Sequence, residues 1–425
     1  MRAILNKYDP FGQIKMRLRA LEMTGHPTDK IELRIIGGTW SFYPQKYKNW
    51  FVKRCFEACN GRSSASLSKT QSLNEKAKHR IIGLSVETRP DFITEKEIKE
   101  LRRLGVTMVE LGVQSLYNDV LKLTKRGHGR KETIKATKLL KDAGFKVCYQ
   151  MMPNLPGSNI KRDIKTFREL FSDSRFQPDM LKIYPCALLK EAPLYDWWKK
   201  KKYKPYTKKQ LVGLVKSIKK SVPPYVRIQR ITRDIPSTSI VEGPAKISNL
   251  RQLLAANSKK EGWRCRCIRC REVRGNYNPK EKLKLFRQNY KASGGKEVFL
   301  SFENKNRTKL YALLRFRIMK EASQSQPKTP KRFKASPQTA IIREVHTYGQ
   351  SLEVRPLQPW RGLTSPASLS PQHKGLGKKL VKEAEKMAKK EFGVNKVAVI
   401  SGIGVRNYYR KLGYRLKNTY MVKAL

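Results

Sequence analysis

Cys265, Cys267 and Cys270 form a C-x-C-x-x-C run that puts three soft ligands within reach of one Zn²⁺, an ion that takes four in a tetrahedron. Spacing leaves the fourth ligand open among a remote histidine, Cys55, Cys59, Cys148 and Cys186, and the plain alternative is three reduced thiols in a tight turn. A second set is built for an anion. Gln372, His373 and Lys374 lead into Gly375, Leu376, Gly377 and Lys378, where two glycines let backbone N–H groups close on a phosphate. The helix starting at Leu376 aims its positive dipole end at the same charge. Leu376, Leu380, Val381, Ala384, Met387, Ala388 and Phe392 recur at helical spacing, so one face is expected in a core and the glycine loop is held still. Past a short apolar strand at 394–400 comes a helix with Tyr408 and Tyr409. One of the pair is expected to serve packing alone.

These groups need elements to hold them. Apolar, β-branched runs at 31–36, 81–87, 106–111, 145–151, 179–184 and 225–229 read as strands. Helical patterns fall at 46–59, 95–104, 131–143, 160–171 and 208–219. Strands regularly followed by helices predict a parallel α/β sheet, open or closed as a partial barrel, with ligands at the C-terminal strand ends. Gly37, Gly38 and Thr39 close the first strand, Glu87 and Arg89 the second, and Gln114 the third. Residues 320–340, rich in Pro, Ser and Lys, read as a flexible insertion, and 340–349 returns to strand character. His346 reads as a strand-end histidine with a satisfied ring.

The chain carries 92 Lys and Arg against 34 Asp and Glu, a net charge of +58 spread along its length. That excess predicts a polyanion as partner, bound with steep salt dependence; the alternative is a generally basic composition with solvated charges. No apolar run reaches the roughly 18 residues of a membrane span, and the N-terminus lacks the apolar stretch of a signal peptide, so a cytoplasmic protein without membrane contact is expected. Seven cysteines in such a chain point to metal or free thiols before disulfides.

The glycine loop, strand and tyrosine helix together resemble the acetyl-CoA-binding core of GNAT-type acetyltransferases. The strand ends at Gly37-Gly38-Thr39, Glu87-Thr88-Arg89 and Gly112-Val113-Gln114 resemble a radical S-adenosylmethionine (SAM) barrel. Arg126-Gly127-His128, Met151-Met152-Pro153-Asn154, Arg233-Asp234-Ile235-Pro236 and Ser248-Asn249-Leu250-Arg251 extend the match. Over almost the whole chain it resembles the catalytic subunit of Elongator and its archaeal and bacterial relatives.

That resemblance implies a radical-SAM-type partial barrel over 1–255, a zinc-binding linker over 256–290 and a GNAT-type acetyltransferase domain over 291–425. It implies acetyl-CoA, SAM, zinc and a 4Fe–4S cluster, and a carboxymethyl-type product on C5 of the wobble uridine of tRNA. Gly37, Gly38, Thr39, Glu87, Arg89 and Gln114 would meet SAM or substrate. Gln372, His373, Lys374, Gly375, Leu376, Gly377 and Lys378 would surround the CoA pyrophosphate. Tyr408 or Tyr409 would act at the thioester, and Lys125, Arg126 and Arg130 would hold the anticodon arm. Other Elongator subunits or a second copy of the chain are the further partners it allows.

The family's cluster-binding cysteine triad has no counterpart in this sequence, because Cys55 and Cys59 fall on an expected helix after the first strand. Three accounts stand: a start at an internal methionine, a shortened chain, or loss of the cluster. Gln150 also replaces the histidine usual before Met-Met-Pro. Two rival functions remain open, a protein lysine acetyltransferase and a tRNA-binding module without catalysis.

Overall fold

Six apolar runs alternating with amphipathic helices leave one economical arrangement, a parallel sheet with its helices outside. The computed structural model describes residues 2–247, 249–275, 277–319, 339–349, 372 and 374–425. In it β1 (Lys30–Ile35), β2 (Arg80–Thr88), β3 (Met108–Gln114), β4 (Lys146–Met151), β5 (Met180–Ile183) and β6 (Arg227–Arg230) lie side by side in sequence order. Every neighbouring pair is parallel, which makes a half-barrel. Side chains set the helix starts: Thr94 accepts from the Glu97 N–H, Asn159 from Arg162, and Thr207 and Gln210 cap each other.

A second, mixed sheet follows. Its strands are β7 (Leu283–Ala292), β8 (Gly295–Asn304), β9 (Leu310–Ile318), β10 (Thr339–Thr347), β11 (Lys396–Val399), β12 (Arg415–Lys417) and β13 (Tyr420–Ala424), in the order β12-β13-β11-β10-β9-β8-β7. Only β10 and β11 run parallel. β7 lies largely within the span expected to be linker, and the helix Leu250–Lys260 runs across its other boundary. Residues 320–338, most of the expected flexible insertion, and the Pro- and Ser-rich 355–370 lie outside the described residues. Among the described residues no helix is long and apolar enough to cross a membrane.

The second sheet packs against the N-terminal ends of the barrel strands, opposite the ends that carry Gly37 and Gln114. The approach is close. A Cβ on Gly402, just past β11, would overlap the backbone carbonyl of Ile82 in β2. Buried ions tie the halves together. Asp179, immediately before β5, accepts from Arg343 of β10 at 3.0 Å and from Lys141 at 3.3 Å. Glu297 of β8 accepts from Arg343 at 3.0 Å and from Arg317 at 2.9 Å, and Glu344 accepts from Arg315 at 2.7 Å and Lys146 at 3.3 Å.

Burial alone would raise these carboxyls, but the cations outweigh it. Arg343, Lys141 and Arg315 hold Asp179 well below the ordinary carboxylate range, and Lys146 and Arg315 hold Glu344 down to about 2. A depressed folded-state pKa adds stability above the unfolded value and loses it as pH falls through the folded one. The unfolding midpoint in urea is therefore expected to be flat above pH 4.5, the ordinary glutamate value, and to fall steadily toward about pH 2. A midpoint unchanged down to about pH 2 would mean that these pairs do not form.

Candidate active site

The C-terminal ends of β1 to β3 form the mouth of the half-barrel. Gly37 and Gly38 both have positive φ, with open space where side chains would stand, and the Gly37 N–H donates to Glu87 Oε2 at 3.3 Å. Thr39 precedes the short turn Trp40–Phe42. Gln114 is buried at φ 67°, and its Oε1 has no hydrogen-bond partner. Trp40 Nε1, Ser41 Oγ, Thr88 Oγ1 and Arg126 Nε are buried and unpartnered as well. Native proteins leave few such atoms, and those at this end of the sheet are left to meet a polar ligand. Arg89 is engaged otherwise: it donates to Asp91 at 3.0 Å and to the Gly127 carbonyl at 3.2 Å, which fixes the loop that carries Arg126.

Below the mouth, Glu87, Glu110, Gln150 and Lys182 meet from four neighbouring strands. Gln150 Nε2 donates to Glu87 Oε1 at 2.8 Å and to Glu110 Oε2 at 3.4 Å. Lys182 donates to Glu87 at 3.1 Å and pairs with Glu110. Burial would lower the Lys182 ammonium, but Glu110 beside it holds its pKa well above the ordinary lysine value. Sequence reading missed Glu110 and Lys182 as site residues, although a charge inside an apolar parallel strand is a signal of its own. Farther down lies a cavity of about 80 Å³, bounded by Ser85, Met108, Lys146 and Met180 of the barrel and by Glu344, His346 and Tyr348 from β10 and its exit. Burial holds the His346 imidazole below the ordinary histidine range, and its ring lies 4.3 Å from that of Tyr348.

On the far side of β10 the second sheet splits. β10 and β11 pair only as far as Ile342 and Val399, yet β10 continues to Thr347. Beside this gap begins the helix Leu376–Phe392, capped by Gly375 at φ 79° with no acidic residue in its first turn. A left-handed cap of that kind leaves the first N–H groups free for an anion. Lys374 donates to Tyr277 Oη at 2.7 Å, Gln372 accepts from Lys30 at 3.4 Å, and Lys378 is exposed. His373 lies outside the described residues.

Tyr408 and Tyr409 separate clearly. A Cβ on Gly377 would stand 3.1 Å from Tyr408 Oη, 3.7 Å from Val345 and 3.9 Å from Thr347, so the Tyr408 hydroxyl sits at the gap, under the glycine loop. Burial raises its phenol above the ordinary value, keeping it protonated at neutral pH. Tyr409 is 6% exposed and packs edge-on against Tyr408 and Tyr414 in the second core.

The expected RNA contacts divide too. Lys125 is exposed, and Arg126 is half-buried near Arg89. Arg130 is instead paired with Glu169 and, at 3.3 Å, with Asp173, above the Phe176 ring, so its charge is already neutralised.

Comparison with known proteins follows the same division. Residues 11–170 match the Radical SAM superfamily and residues 178–260 a Radical SAM C-terminal domain. The whole chain is 48% identical to the tRNA uridine(34) acetyltransferase of Methanocaldococcus infernus, covering 78% of that protein. It is 40% identical to the Elongator complex protein 3 of Homo sapiens, covering 75%. The solved archaeal Elp3 of Methanocaldococcus infernus with an N-terminal deletion of residues 1–46 superposes with a TM-score of 0.89 at 46% identity, over 100% of this chain and 97% of that one. This chain belongs to the Elongator subunit 3 family.

Radical SAM membership brings SAM and a 4Fe–4S cluster as the family's cofactors. The mouth suits SAM, since glycines with open space beside them and polar atoms without partners lie at the same strand ends. The residues present do not fit the cluster. Cys55 and Cys59 are buried in the helix Gln45–Asn60, with burial pushing the Cys59 thiol up to about 12, and Cys148 is buried between strands. The grouping with metal-ligand geometry among the described residues is Cys265, Cys267 and Cys270, whose sulfurs lie within 4.8 Å of one another. Lys219 donates to Cys270 Sγ at 3.5 Å, as suits a thiolate. None of Cys55, Cys59, Cys148 and Cys186 joins this group, nor does any described histidine or carboxylate.

Proposed function

We propose that this member of the Elongator subunit 3 family is a tRNA-modifying acyltransferase that draws an acetyl unit from acetyl-CoA and delivers it toward C5 of the wobble uridine. What supports this reading is β10: on one side Glu344 and His346 close the cavity at the foot of the barrel interior, and on the other Val345 and Thr347 stand beside the gap at Tyr408. SAM held beside a cluster would supply the radical chemistry that this bond calls for, because an acetyl methyl and a uridine C5 offer no ordinary polar route. That step is not assigned to the described residues, among which no cysteine group fits the cluster.

The remaining roles fall to residues on the page. The N–H groups from Gly375 to Gly377, with Lys374 and Lys378, hold the CoA pyrophosphate. The protonated Tyr408 hydroxyl gives its proton to the departing CoA thiolate, while Tyr409 holds the helix to the core. Gly37, Gly38, Thr39 and Gln114 bind SAM, and Glu87 orients it through the Gly37 N–H. Lys125 and Arg126 meet the RNA at the mouth. The sheet β7 to β13 forms the acetyltransferase domain, the half-barrel the SAM domain, and the cysteine run a zinc-bound link between them. The setting is cytoplasmic, and partner subunits or a second copy complete the assembly.

Acetyl-CoA hydrolysis should rise at least about tenfold with tRNA and not with a lysine-rich peptide, whose charge the cationic surface repels. Stimulation by peptide alone would sink the tRNA reading in favour of a protein acetyltransferase. Metal analysis should find one zinc per chain. Its removal by chelator, or Cys267→Ser, should lower the melting temperature by several degrees, since a structural site contributes folding free energy. A metal-free protein with an unchanged melting curve would leave the cysteines as plain thiols.

A further inference from the structure

A second cavity, of about 290 Å³, opens beside the cysteine run. Its lining is Pro224, Arg264, Arg266, Arg271, Asn306 and Arg307, four guanidinium groups and no carboxylate. The carboxylate that serves the group is Glu303, buried behind it and shared by Arg271 and, at 3.4 Å, Arg307. Two of the arginines are fixed in place. Arg271 is buried and donates to the carbonyls of Arg266 at 2.7 Å and Pro224 at 2.6 Å, and Arg307 stands 4.6 Å over the Phe286 ring.

The other two differ. Arg264 and Arg266 are exposed, and among the described residues neither pairs with a carboxylate; Arg264 reaches only the Asn306 carbonyl, at 3.5 Å. Guanidinium groups held this close repel one another, and the cavity keeps that cost unless an anion enters. Their planar forks match the oxygens of a phosphate, and the space exceeds what a bare phosphate fills.

We infer that this cavity binds a backbone phosphodiester of the RNA substrate, an inference that rests on the tRNA reading above. The position gives the inference its content. Pro224 precedes β6, and Asn306 and Arg307 lie in the turn between β8 and β9, so the cavity sits at the N-terminal end of the barrel where the halves meet. Lys125 and Arg126 follow β3 at the other end. An RNA that touches both must reach along the barrel.

The test is salt-dependent binding of tRNA to the full chain and to the double variant Arg264→Gln, Arg266→Gln, with thermal melts to show that both are folded. The variant is expected to bind tRNA roughly tenfold more weakly near 0.1 M salt, with the slope of log K against log salt reduced by about one to two. Lys382→Gln with Lys386→Gln, which removes equal charge elsewhere on the surface, should change little. If the parent binds tRNA and the arginine variant matches it in affinity and slope, the inference falls and the tRNA reading stands. If the parent binds no tRNA, both fall. If pyrophosphate raises the melting temperature of the parent but not of the variant, while tRNA binding is equal, the cavity takes a free phosphate ligand and not RNA.

Discussion

Tyr408→Phe is expected to lower the kcat of acetyl-CoA turnover about 10²- to 10³-fold while KM for acetyl-CoA stays within about threefold. The hydroxyl stands at the gap between β10 and β11, near Gly377 and Thr347, whereas the ring, which phenylalanine keeps, supplies the packing. A proton given only as the thiolate departs is an interaction of the transition state, so kcat carries the loss. Tyr409→Phe is the internal control. Its hydroxyl lies in the second core, and a change of less than about threefold is expected. Because burial raises the Tyr408 phenol above its ordinary value of 10.0, the parent should keep its activity up to that pH and lose it beyond as the proton leaves. Equal losses in the two variants, or a Tyr408→Phe protein of full activity, would remove the hydroxyl from the reaction. The measurement is the initial rate of CoA release in the presence of saturating tRNA.

The second large effect is on stability. Arg343→Met should cost about 3–5 kcal/mol, because it strips a buried guanidinium from two buried carboxylates at once. Asp179 would keep Lys141, Arg315 at 3.7 Å and the Val147 N–H, and Glu297 would keep Arg317, but the hydrogen bonds that Arg343 gives to both carboxylates and to the Phe145 carbonyl would go unmade. Adding Asp179→Asn should bring no recovery, since it takes that carboxylate away from buried Lys141 and Arg315 as well. Urea unfolding followed by tryptophan fluorescence gives both numbers. A loss under about 1 kcal/mol in the single variant would show that the network does not hold the halves together.

Most of the half-barrel was legible because its strands carry their period in the sequence. The run from Met108 to Gln114 is buried throughout, and the helices after each strand bring their own caps. The triad Cys265, Cys267 and Cys270 was legible from spacing, and the Leu376 helix from its apolar face and glycine loop. Strands β7 to β9 were not anticipated. Arg315 and Arg317 are fully buried in β9, where a linear reading takes arginines for surface, and their carboxylate partners lie far away in sequence. Glu110 and Lys182 escaped for the same reason, since each is sensible only beside the other. The choice between Tyr408 and Tyr409 needed the fold, as adjacent residues on a helix face different ways and sequence does not say which way is inward.

The ionic seam also bears on how such an enzyme can be inherited. Arg315, Arg317 and Arg343 come from one catalytic half, and Asp142 and Asp179 from the other. A gene split between the halves would encode two polypeptides, each exposing charges whose partners had gone to the other product. Neither piece is expected to remain soluble and folded long enough to find its counterpart. Lineages should therefore pass the two halves on as a single reading frame, even where one of the two chemistries decays.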